Sequence, residues 1–527
     1  MKNKIVFLMI LGGLWSACTG KFQEINTNPN NPEVVPTTQV LTYVQRAYCG
    51  MFGDVWYNYN ESSSMAGQVT KIRYIDEARY VYREGTVNNM FNTPYVNFLK
   101  NLNKIIEYES VDNGNKNMVA AARIFKAYIF QVMTDHLGDI PYFNAFKVLD
   151  KNYYPEYDPQ KDIYADLIRE VQAAVAMIDV NPPVPMRFGN ADFFFAGDMN
   201  RWKKFGNSLL LRMAIRLSYV EPNTAKTLIS GILANEANVM QSNADNCIFR
   251  WPGSPYAEPL SNAEIARKDY GMANVIIGVL KETADPRLPV YAAPAPEPDA
   301  VNGTYKGMPV GLKREWEPRG EFAPNSISPV GARFRNTQAP FSGITCLMRY
   351  SEIEFIKAEA YERGLATGDA KAAYEKGILA SLEENGVGGS ANAYLSQDKV
   401  AFDTPQIPNL LWASVEQTAA SPELNSIANA TVAASVKLQK IAYQKWLALF
   451  TTGPEAWAEM RRTDIPVIGP AIGRIYPELP HNRAPLRFPY AFAESGNNPE
   501  NYKKAFAKTK DLYWGEKMYW DVRVGVN

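Results

Sequence analysis

Apolar residues recur at helical spacing in several long stretches of the chain, and two neighbouring stretches show the pattern most clearly. The apolar side chains of each form one stripe: Ile163, Leu167, Val171, Ala174 and Ile178 in the first, and Trp202, Phe205, Leu209, Met213 and Leu217 in the second. Asp158 and Pro159 predict the cap and first turn of the first helix. Arg212 and Arg216 alternate with the second stripe. Both stretches are therefore predicted to be amphipathic helices that face a core.

Helical stretches of this kind pair along the chain into hairpins. The pairs cover roughly 95–137, 158–218, 349–384 and 436–462. Four hairpins without an exact sequence period favour a helical array of tetratricopeptide type. The predicted fold class is mainly α, with the body of the chain, 37–527, forming one domain.

Two other segments, roughly 251–345 and 463–527, break this pattern. They are rich in Pro and Gly, with aromatic residues and short β-like runs but little periodicity. Long irregular segments in a compact protein are usually functional or disordered. Because these carry many aromatic side chains, we interpret them as an irregular lobe of functional surface loops with few short strands.

The first residues have the composition of an export signal. Lys2 and Lys4 precede an apolar run from residue 5 to 14, and the sequence WSACTG follows. The run is about half the ~20 residues that span a bilayer, so residues 1–17 are predicted to be a signal peptide. Cys18 matches the cysteine of a bacterial lipobox, which is acylated, for example with palmitate. The Asn- and Pro-rich residues 18–36 suit a flexible tether.

Composition excludes several classes of protein. Hydrophobic residues make up 46% of the chain and charged residues 21%, as in ordinary globular proteins. Lys and Arg together number 55, and so do Asp and Glu, which gives no electrostatic reason to bind nucleic acid. The chain contains 30 Tyr, 24 Phe and 10 Trp, and this aromatic content is the positive signal.

The sequence lacks the motifs that are typical of several common enzyme classes. No nucleophile elbow, zinc-binding helix, phosphate loop or dinucleotide fingerprint occurs, and the chain has two histidines, His136 and His481. We expect His136 to be structural and His481 to lie on the surface. No cofactor is expected. A glycosidase-type carboxylate pair and a structural calcium ion both stay open, because geometry alone would reveal them. Cys49, Cys247 and Cys346 permit at most one internal disulfide and leave at least one thiol over, and they are expected to be mostly buried.

Two aromatic segments near the start of the body point to ligand binding instead. VWYNYN contains Trp56, and KIRYIDEARYVYREG contains Tyr74 and Tyr80 beside Arg73 and Asp76. Aromatic faces pack against sugar rings or peptide side chains, while neighbouring polar groups bind hydroxyl or main-chain groups. This combination favours binding an uncharged polar oligomer without chemistry. The acids of these segments, Asp54 among them, have the simpler interpretation of hydrogen bonding to loop backbone.

A family resemblance extends over nearly all of the body. The segments that carry it are FQEINTNPNNPE after Cys18, MTDHLGDIPYFNAF at 133–146, YDPQKDIYADLI at 157–168, FFFAGDMNRWKKFGNSLLLRMAIRLS at 193–218, ADPRLPVY at 284–291, LMRYSEIEFIKAEAYERG at 347–364, IAYQKWLALFTTGPEAWAEMRRTDIP at 441–466 and DLYWGEKMYWD at 511–521. In this order they resemble the SusD/RagB outer-membrane lipoproteins of the Bacteroidetes, in the SusD-like subgroup.

The resemblance implies a non-enzymatic nutrient-binding protein, lipid-anchored at the cell surface. It would deliver oligosaccharides, or in RagB-like members oligopeptides, to a SusC-like TonB-dependent transporter. The family fold has four tetratricopeptide-like helix pairs and a less regular lobe. Its binding sites lie near the N-terminal helical segment and the central irregular lobe. On that basis and on the loop aromatics, the candidate ligand-binding residues are Trp56, Arg73, Tyr74, Asp76, Tyr80, Trp251, Tyr305, Trp316 and Phe334.

Overall fold

A computed structural model of the chain describes most of its body. The described residues are 35–111, 114–261, 268–298, 303–316, 320–409, 435–475, 483–509, 516–524 and 526. The predicted signal peptide, Cys18, His481 and nearly all of the predicted tether lie outside them. Within these ranges, no helix combines the length and apolar character that a membrane span requires.

The fold is mainly helical, as the periodicity predicts. Its α-helices are α1 Thr37–Phe52, α2 Glu84–Thr93, α3 Lys100–Glu109, α4 Lys116–Leu137, α5 Gln160–Met177, α6 Met199–Leu217, α7 Pro222–Leu233, α8 Asn274–Glu282, α9 Leu288–Tyr291, α10 Tyr350–Glu362, α11 Ala370–Glu384, α12 Ala391–Leu395, α13 Val436–Ala448, α14 Gly453–Thr463, α15 Glu494–Asn497 and α16 Pro499–Lys508. Two π-helical segments, Val55–Ser62 and Pro94–Leu99, and a short turn, Ser63–Met65, accompany them.

The four predicted hairpins are present as packed helix pairs. They are α3 with α4, α5 with α6, α10 with α11, and α13 with α14. Helix α6 also contacts α7 and α10, so the pairs share one body. Capping explains where several helices begin: the Asp198 side chain accepts hydrogen bonds from the first amides of α6, and Asn115 does the same for α4.

One predicted cap is wrong. Helix α5 begins at Gln160, and its first amide donates to Asp139 Oδ1 at 2.9 Å rather than to Asp158. The Asp158 carboxylate accepts instead from the backbone amides of Tyr142 and Phe143, both at 2.9 Å. Asp158 therefore ties the α4–α5 loop back onto the start of α5.

Two small antiparallel sheets join distant parts of the chain. They are β1 Val69–Lys71 with β3 Tyr270–Met272, and β2 Cys247–Trp251 with β4 Gly343–Met348. The segment predicted to be irregular between 251 and 345 thus contains β3 and the ends of β2 and β4, and it also contains α8 and α9. The β1–β3 pair fixes the N-terminal aromatic segment against this central lobe.

The hydrophobic core runs through the helical body, and its largest cluster draws residues from Leu41 to Trp520. A smaller cluster lies beneath the central lobe and joins the segment after β1 to residues 308–327. Its members are Ile72, Ile75, Met308, Leu312, Phe322 and Ile327. This smaller cluster positions the surface described below.

Arg212 and Arg216 do not lie on an exposed polar face of α6. Both are buried, and the Arg212 guanidinium makes two 2.7 Å hydrogen bonds to the Glu352 carboxylate at the start of α10. Arg216 pairs with Glu455 and Glu459 of α14. The amphipathic pattern is real, but the polar stripe of α6 meets carboxylates of other helices instead of water.

Candidate ligand-binding site

Four of the residues predicted from sequence line one surface groove of about 530 Å³. They are Trp56, Arg73, Tyr74 and Asp76. The complete lining is Trp56, Lys71, Ile72, Arg73, Tyr74, Ile75, Asp76, Glu77, Arg83, Arg314 and Pro324. This volume lies within the range of small-ligand sites. We call this surface the Trp56 groove.

Trp56 owes its exposure to the π-helical segment. All residues of Val55–Ser62 are buried except Trp56, whose side chain is 40% exposed. The Asp54 carboxylate caps the segment by accepting from the Trp56 amide at 2.8 Å, as the simpler interpretation of that acid predicts. Burial raises the pKa of Asp54, and the amides of Trp56 and Tyr57 oppose the shift. π-Helical turns are rare and occur often at functional sites.

The Trp56 indole also borders a second depression of about 580 Å³. Gly50 and Met51 at the end of α1, with Gly85, Thr86 and Asn89 of α2, are among its lining residues. Trp56 therefore borders two depressions, and a ligand in either one could contact its side chain. This arrangement suits stacking against an apolar ring face.

Tyr74 is the second exposed aromatic residue of the groove. Its side chain is 63% exposed, and its backbone φ of 52° lies in the left-handed region that residues other than glycine rarely adopt. Such conformations cost roughly 1–3 kcal/mol and cluster at binding sites. The conformation of Tyr74 agrees with a binding role for this loop.

Charged side chains surround the two rings. The Asp76 carboxylate lies 3.5 Å from Arg79, 3.4 Å from Arg83 and 4.0 Å from Arg314. Arg73 is exposed and forms no ion pair with any carboxylate of the described residues. Beside its rings, the groove thus offers guanidinium groups as hydrogen-bond donors and the arginine-paired Asp76 carboxylate as an acceptor.

A buried ion pair supports this surface from below. Lys71 Nζ lies 2.9 Å from Glu77 Oε2, and it lies 5.7 Å from the centre of the Trp56 ring. Glu77 also accepts from Arg83 Nε at 3.2 Å. Both carboxylates of the groove, Asp76 and Glu77, are therefore engaged by cationic side chains.

Trp316 lies near the groove but does not line it. It belongs to a single helical turn, Arg314–Trp316, whose first residue does line the groove. The half-buried Trp316 ring stacks on Phe322 at 6.5 Å, and Lys313 Nζ lies 5.5 Å from its centre. Tyr305, also partly buried, packs against the main core and lines none of the depressions described here.

Three candidates are buried, and the expectation that they form exposed surfaces is wrong. Trp251 lies in β2, where its indole donates to Thr345 Oγ1 at 2.9 Å. Phe334 packs edge-on against Phe450. Tyr80 is buried in a left-handed turn, and its hydroxyl accepts from the Ala471 amide at 2.8 Å.

His136 and the cysteines lie where the sequence predicts. His136 is buried between the rings of Trp457 and Phe488, and burial lowers the pKa of its imidazole. Cys49, Cys247 and Cys346 are buried free thiols. Among the described residues, no group of three or more His, Cys, Asp or Glu is arranged to hold a metal ion.

Sequence reasoning missed Lys71, Arg83 and Arg314 as part of the groove. Lys71 and Arg83 lie in the aromatic segment that drew attention to Tyr74, so charge within that segment was a usable signal. Arg314 reaches the groove because the small core joins residues 72–75 to 308–327. That proximity has no local sequence signal.

Comparisons with known proteins agree with this architecture. Residues 29–491 match the model of a SusD-like family described as starch-binding and associating with the outer membrane. Among curated proteins, no sequence matches the chain.

Similar solved structures include three SusD homologs. One from Parabacteroides distasonis is 21% identical with a TM-score of 0.76, covering 92% of this chain and 98% of that one. One from Bacteroides uniformis is 22% identical with a TM-score of 0.74, covering 92% and 99%. A chitin-binding homolog from Flavobacterium johnsoniae is 24% identical with a TM-score of 0.71, covering 92% and 96%. These likenesses confirm the predicted fold.

Proposed function

The chain belongs to the SusD-like family, and from that premise we propose that it binds an uncharged oligosaccharide at the cell surface through the Trp56 groove. The observation that carries the proposal is the pairing of two exposed rings, Trp56 and Tyr74, with charged side chains in one groove. Rings stack on the apolar faces of pyranose units, while the charged groups bind hydroxyls. The starch-binding description of the family and the chitin-binding homolog support a glycan as ligand.

Binding without chemistry is part of this proposal. A glycosidase needs one carboxyl group as acid and another as base or nucleophile. Asp76 and Glu77 are instead both held by cationic partners. Oligosaccharide recovered after long incubation with the protein should therefore have an unchanged mass, whereas shortened chains that increase with protein concentration would identify a glycosidase.

The groove is tested by calorimetry with maltohexaose and chitohexaose. We expect Trp56→Ala and Tyr74→Ala each to weaken binding of the recognised oligosaccharide about tenfold to a hundredfold, because a few aromatic anchors usually dominate recognition. Tyr108→Ala is the matched control, since Tyr108 is 62% exposed on α3 and does not line the groove. Unchanged affinity in both groove variants would refute the site. Binding of oligopeptides but of neither sugar would refute the ligand class.

The proposal also includes an anchor and a partner. By family membership, a lipid on Cys18 holds the chain on the outer membrane, and a SusC-like TonB-dependent transporter receives the ligand. The loop between α4 and α5 supports a protein partner, because it exposes Phe143, Leu149, Tyr153 and Tyr154. Exposed apolar clusters of this kind often mark protein contacts.

Gentle detergent extraction from the native organism tests the partner. The transporter should be recovered with this chain, and Leu149→Asp should reduce its recovery, because Leu149 is 99% exposed and the substitution cannot disturb a core. Recovery of the chain alone, under conditions that preserve other transporter complexes, would contradict the mechanism.

A further inference from the structure

A second groove of about 750 Å³ opens beside the first half of α1, and none of the residues predicted from sequence lines it. We call it the arginine groove. Its floor and walls include Tyr43, Arg46, Phe193, Arg201, Arg250 and Tyr256, which come from α1, the loop before α6, α6 itself, β2 and the loop after β2. Three separate stretches of sequence, 39–46, 193–201 and 243–256, thus contribute to one cavity.

No carboxylate in the described part of the chain balances the charge of the three guanidinium groups of this groove. Among the described residues, neither Arg46 nor Arg201 nor Arg250 forms an ion pair, and no Asp or Glu lines the groove. Two acids on neighbouring segments have partners elsewhere. Asp245 pairs with Lys204 at 2.9 Å, and Asp192 accepts from Trp202 Nε1 at 2.8 Å.

The acid that precedes α6 is also engaged. Asp198 accepts hydrogen bonds from the Asn200 and Arg201 amides as the cap of that helix. Three uncompensated positive charges around one concavity create a local field that favours an anion, although the whole chain is electrically balanced.

Two buried polar atoms at the groove lack partners within the described structure. They are the Arg201 Nε donor and the Asn243 Oδ1 acceptor. The Arg201 guanidinium donates a 3.4 Å hydrogen bond to the Asn246 carbonyl and lies 4.7 Å from the centre of the Phe195 ring. Asn243 Nδ2 donates to the Ala380 carbonyl at 2.9 Å. Buried polar groups are normally hydrogen-bonded, so these two atoms show that the wall of the groove is incompletely hydrogen-bonded. Both atoms are closed to solvent, and a ligand in the groove does not contact them directly.

Three exposed rings complete the groove. Tyr43, Phe193 and Tyr256 are 40%, 44% and 51% exposed, and the Arg46 guanidinium lies 5.3 Å from the centre of the Tyr256 ring. A guanidinium stacked on a ring keeps its edge free for a bidentate contact to a carboxylate.

We propose that the arginine groove binds an acidic sugar unit, whose carboxylate faces the arginines while its ring packs on the aromatic side chains. The carboxylate supplies the acceptors for the guanidinium groups, and the pyranose ring supplies the apolar face. This inference rests on the proposed function, in that it assumes an oligosaccharide ligand. It adds a second site, whose ligand is negatively charged, to the Trp56 groove, whose proposed ligand is uncharged.

Calorimetry with hexagalacturonate tests the proposal. The full chain should bind this probe, and the double variant Arg46→Gln/Arg250→Gln should bind it at least about tenfold more weakly, because hydrogen bonds to charged groups are the strong ones. Binding by the unaltered chain should also weaken in about 0.5 M NaCl, where the Debye length is only a few ångström. Arg169→Gln is the control, because it removes the same charge from an exposed site on α5.

Three results would overturn the inference. They are no binding of hexagalacturonate by the full chain, equal binding by the double variant, and an equal loss in Arg169→Gln. Tighter arginine-dependent binding of a sulfated galactan hexamer would overturn the carboxylate assignment. Failure of maltohexaose and chitohexaose to bind would refute the proposed role of the Trp56 groove, whereas failure of hexagalacturonate refutes only the arginine groove.

Discussion

Glu61 lies buried in the π-helical segment that exposes Trp56. Burial and the nearby Glu77 carboxylate raise the pKa of Glu61 to about 8, while Lys71 opposes the shift. The folded chain therefore keeps a proton between about pH 4.5 and pH 8 that the unfolded chain releases. Since the folded state binds more protons across this window, its stability falls as the pH rises through it.

We expect Glu61→Gln to remove this loss of stability. The variant should match the unaltered chain near about pH 5 and should be more stable near about pH 9, by on the order of 3–5 kcal/mol, since one pKa unit corresponds to about 1.4 kcal/mol. Urea unfolding at the two pH values measures the difference. Glu107→Gln on the exposed face of α3 is the control. Equal pH dependence in the Glu61 variant and the unaltered chain would contradict the assignment.

The exposure of an aromatic binding residue follows only in part from its sequence context. Trp56 and Tyr74 were chosen for their aromatic neighbours, and both are exposed in the groove. Trp251 is a candidate because it is an aromatic residue of the irregular lobe, and it is buried in β2. The difference depends on which face of a strand or π-turn a side chain occupies. In loops without periodicity, no local sequence pattern shows whether a given side chain faces the core or the solvent.

Among the elements, α6 shows which features hydrophobic periodicity predicts and which it does not. Its apolar stripe predicts the buried face correctly, because that face repeats every three to four residues. Arg212 and Arg216 follow the polar phase of the pattern, yet both are buried. Their partners come from α10 and α14, more than a hundred residues away. A local sequence pattern cannot predict an ion pair with a carboxylate so distant in the chain.

We expect Arg212→Met to destabilise the protein by about 3–5 kcal/mol, because it leaves the Glu352 carboxylate buried without its partner. Adding Glu352→Gln should recover part of this loss by removing the unpaired charge. The free energy of unfolding, measured in urea, reports both effects. Arg169→Met, at a side chain that is 76% exposed, should change it by less than about 1 kcal/mol. A similarly small effect of Arg212→Met would show that this ion pair does not hold α6 to α10.

At the scale of the whole molecule, the family is associated with the outer membrane, and the lipid anchor proposed above would depend on one residue, Cys18. We expect Cys18→Ala to release the protein from the membrane fraction and to abolish labelling by a fatty-acid analogue, because no lipid can then be attached. Immunoblots of membrane and soluble fractions, together with the fatty-acid label, measure this. A variant at the buried Cys247, Cys247→Ala, should keep both retention and label. Unchanged labelling of Cys18→Ala would refute the lipid anchor.

Helix α1 carries residues of two surface depressions along one side. Tyr43 and Arg46 line the arginine groove, and Gly50 lines the depression behind Trp56. Residues three or four apart share a helix face, and at 1.5 Å per residue Tyr43 and Gly50 are about 10 Å apart along the axis. The arginine groove and the depression behind Trp56 are therefore held at a fixed spacing by a rigid element instead of a loop. The Trp56 side chain borders both that depression and the Trp56 groove.

For a long polysaccharide, this fixed spacing acts as bivalency. Once one part of the polymer is bound, the next part is presented at a high effective concentration, and avidity exceeds either single affinity without any new contact. We expect an oligosaccharide that carries both neutral and acidic units to bind more tightly than a neutral and an acidic fragment measured separately. The gain should disappear when either Trp56 or Arg250 is replaced. The distance between the two surfaces along α1 would then determine the minimum length of an oligosaccharide that can occupy both at once.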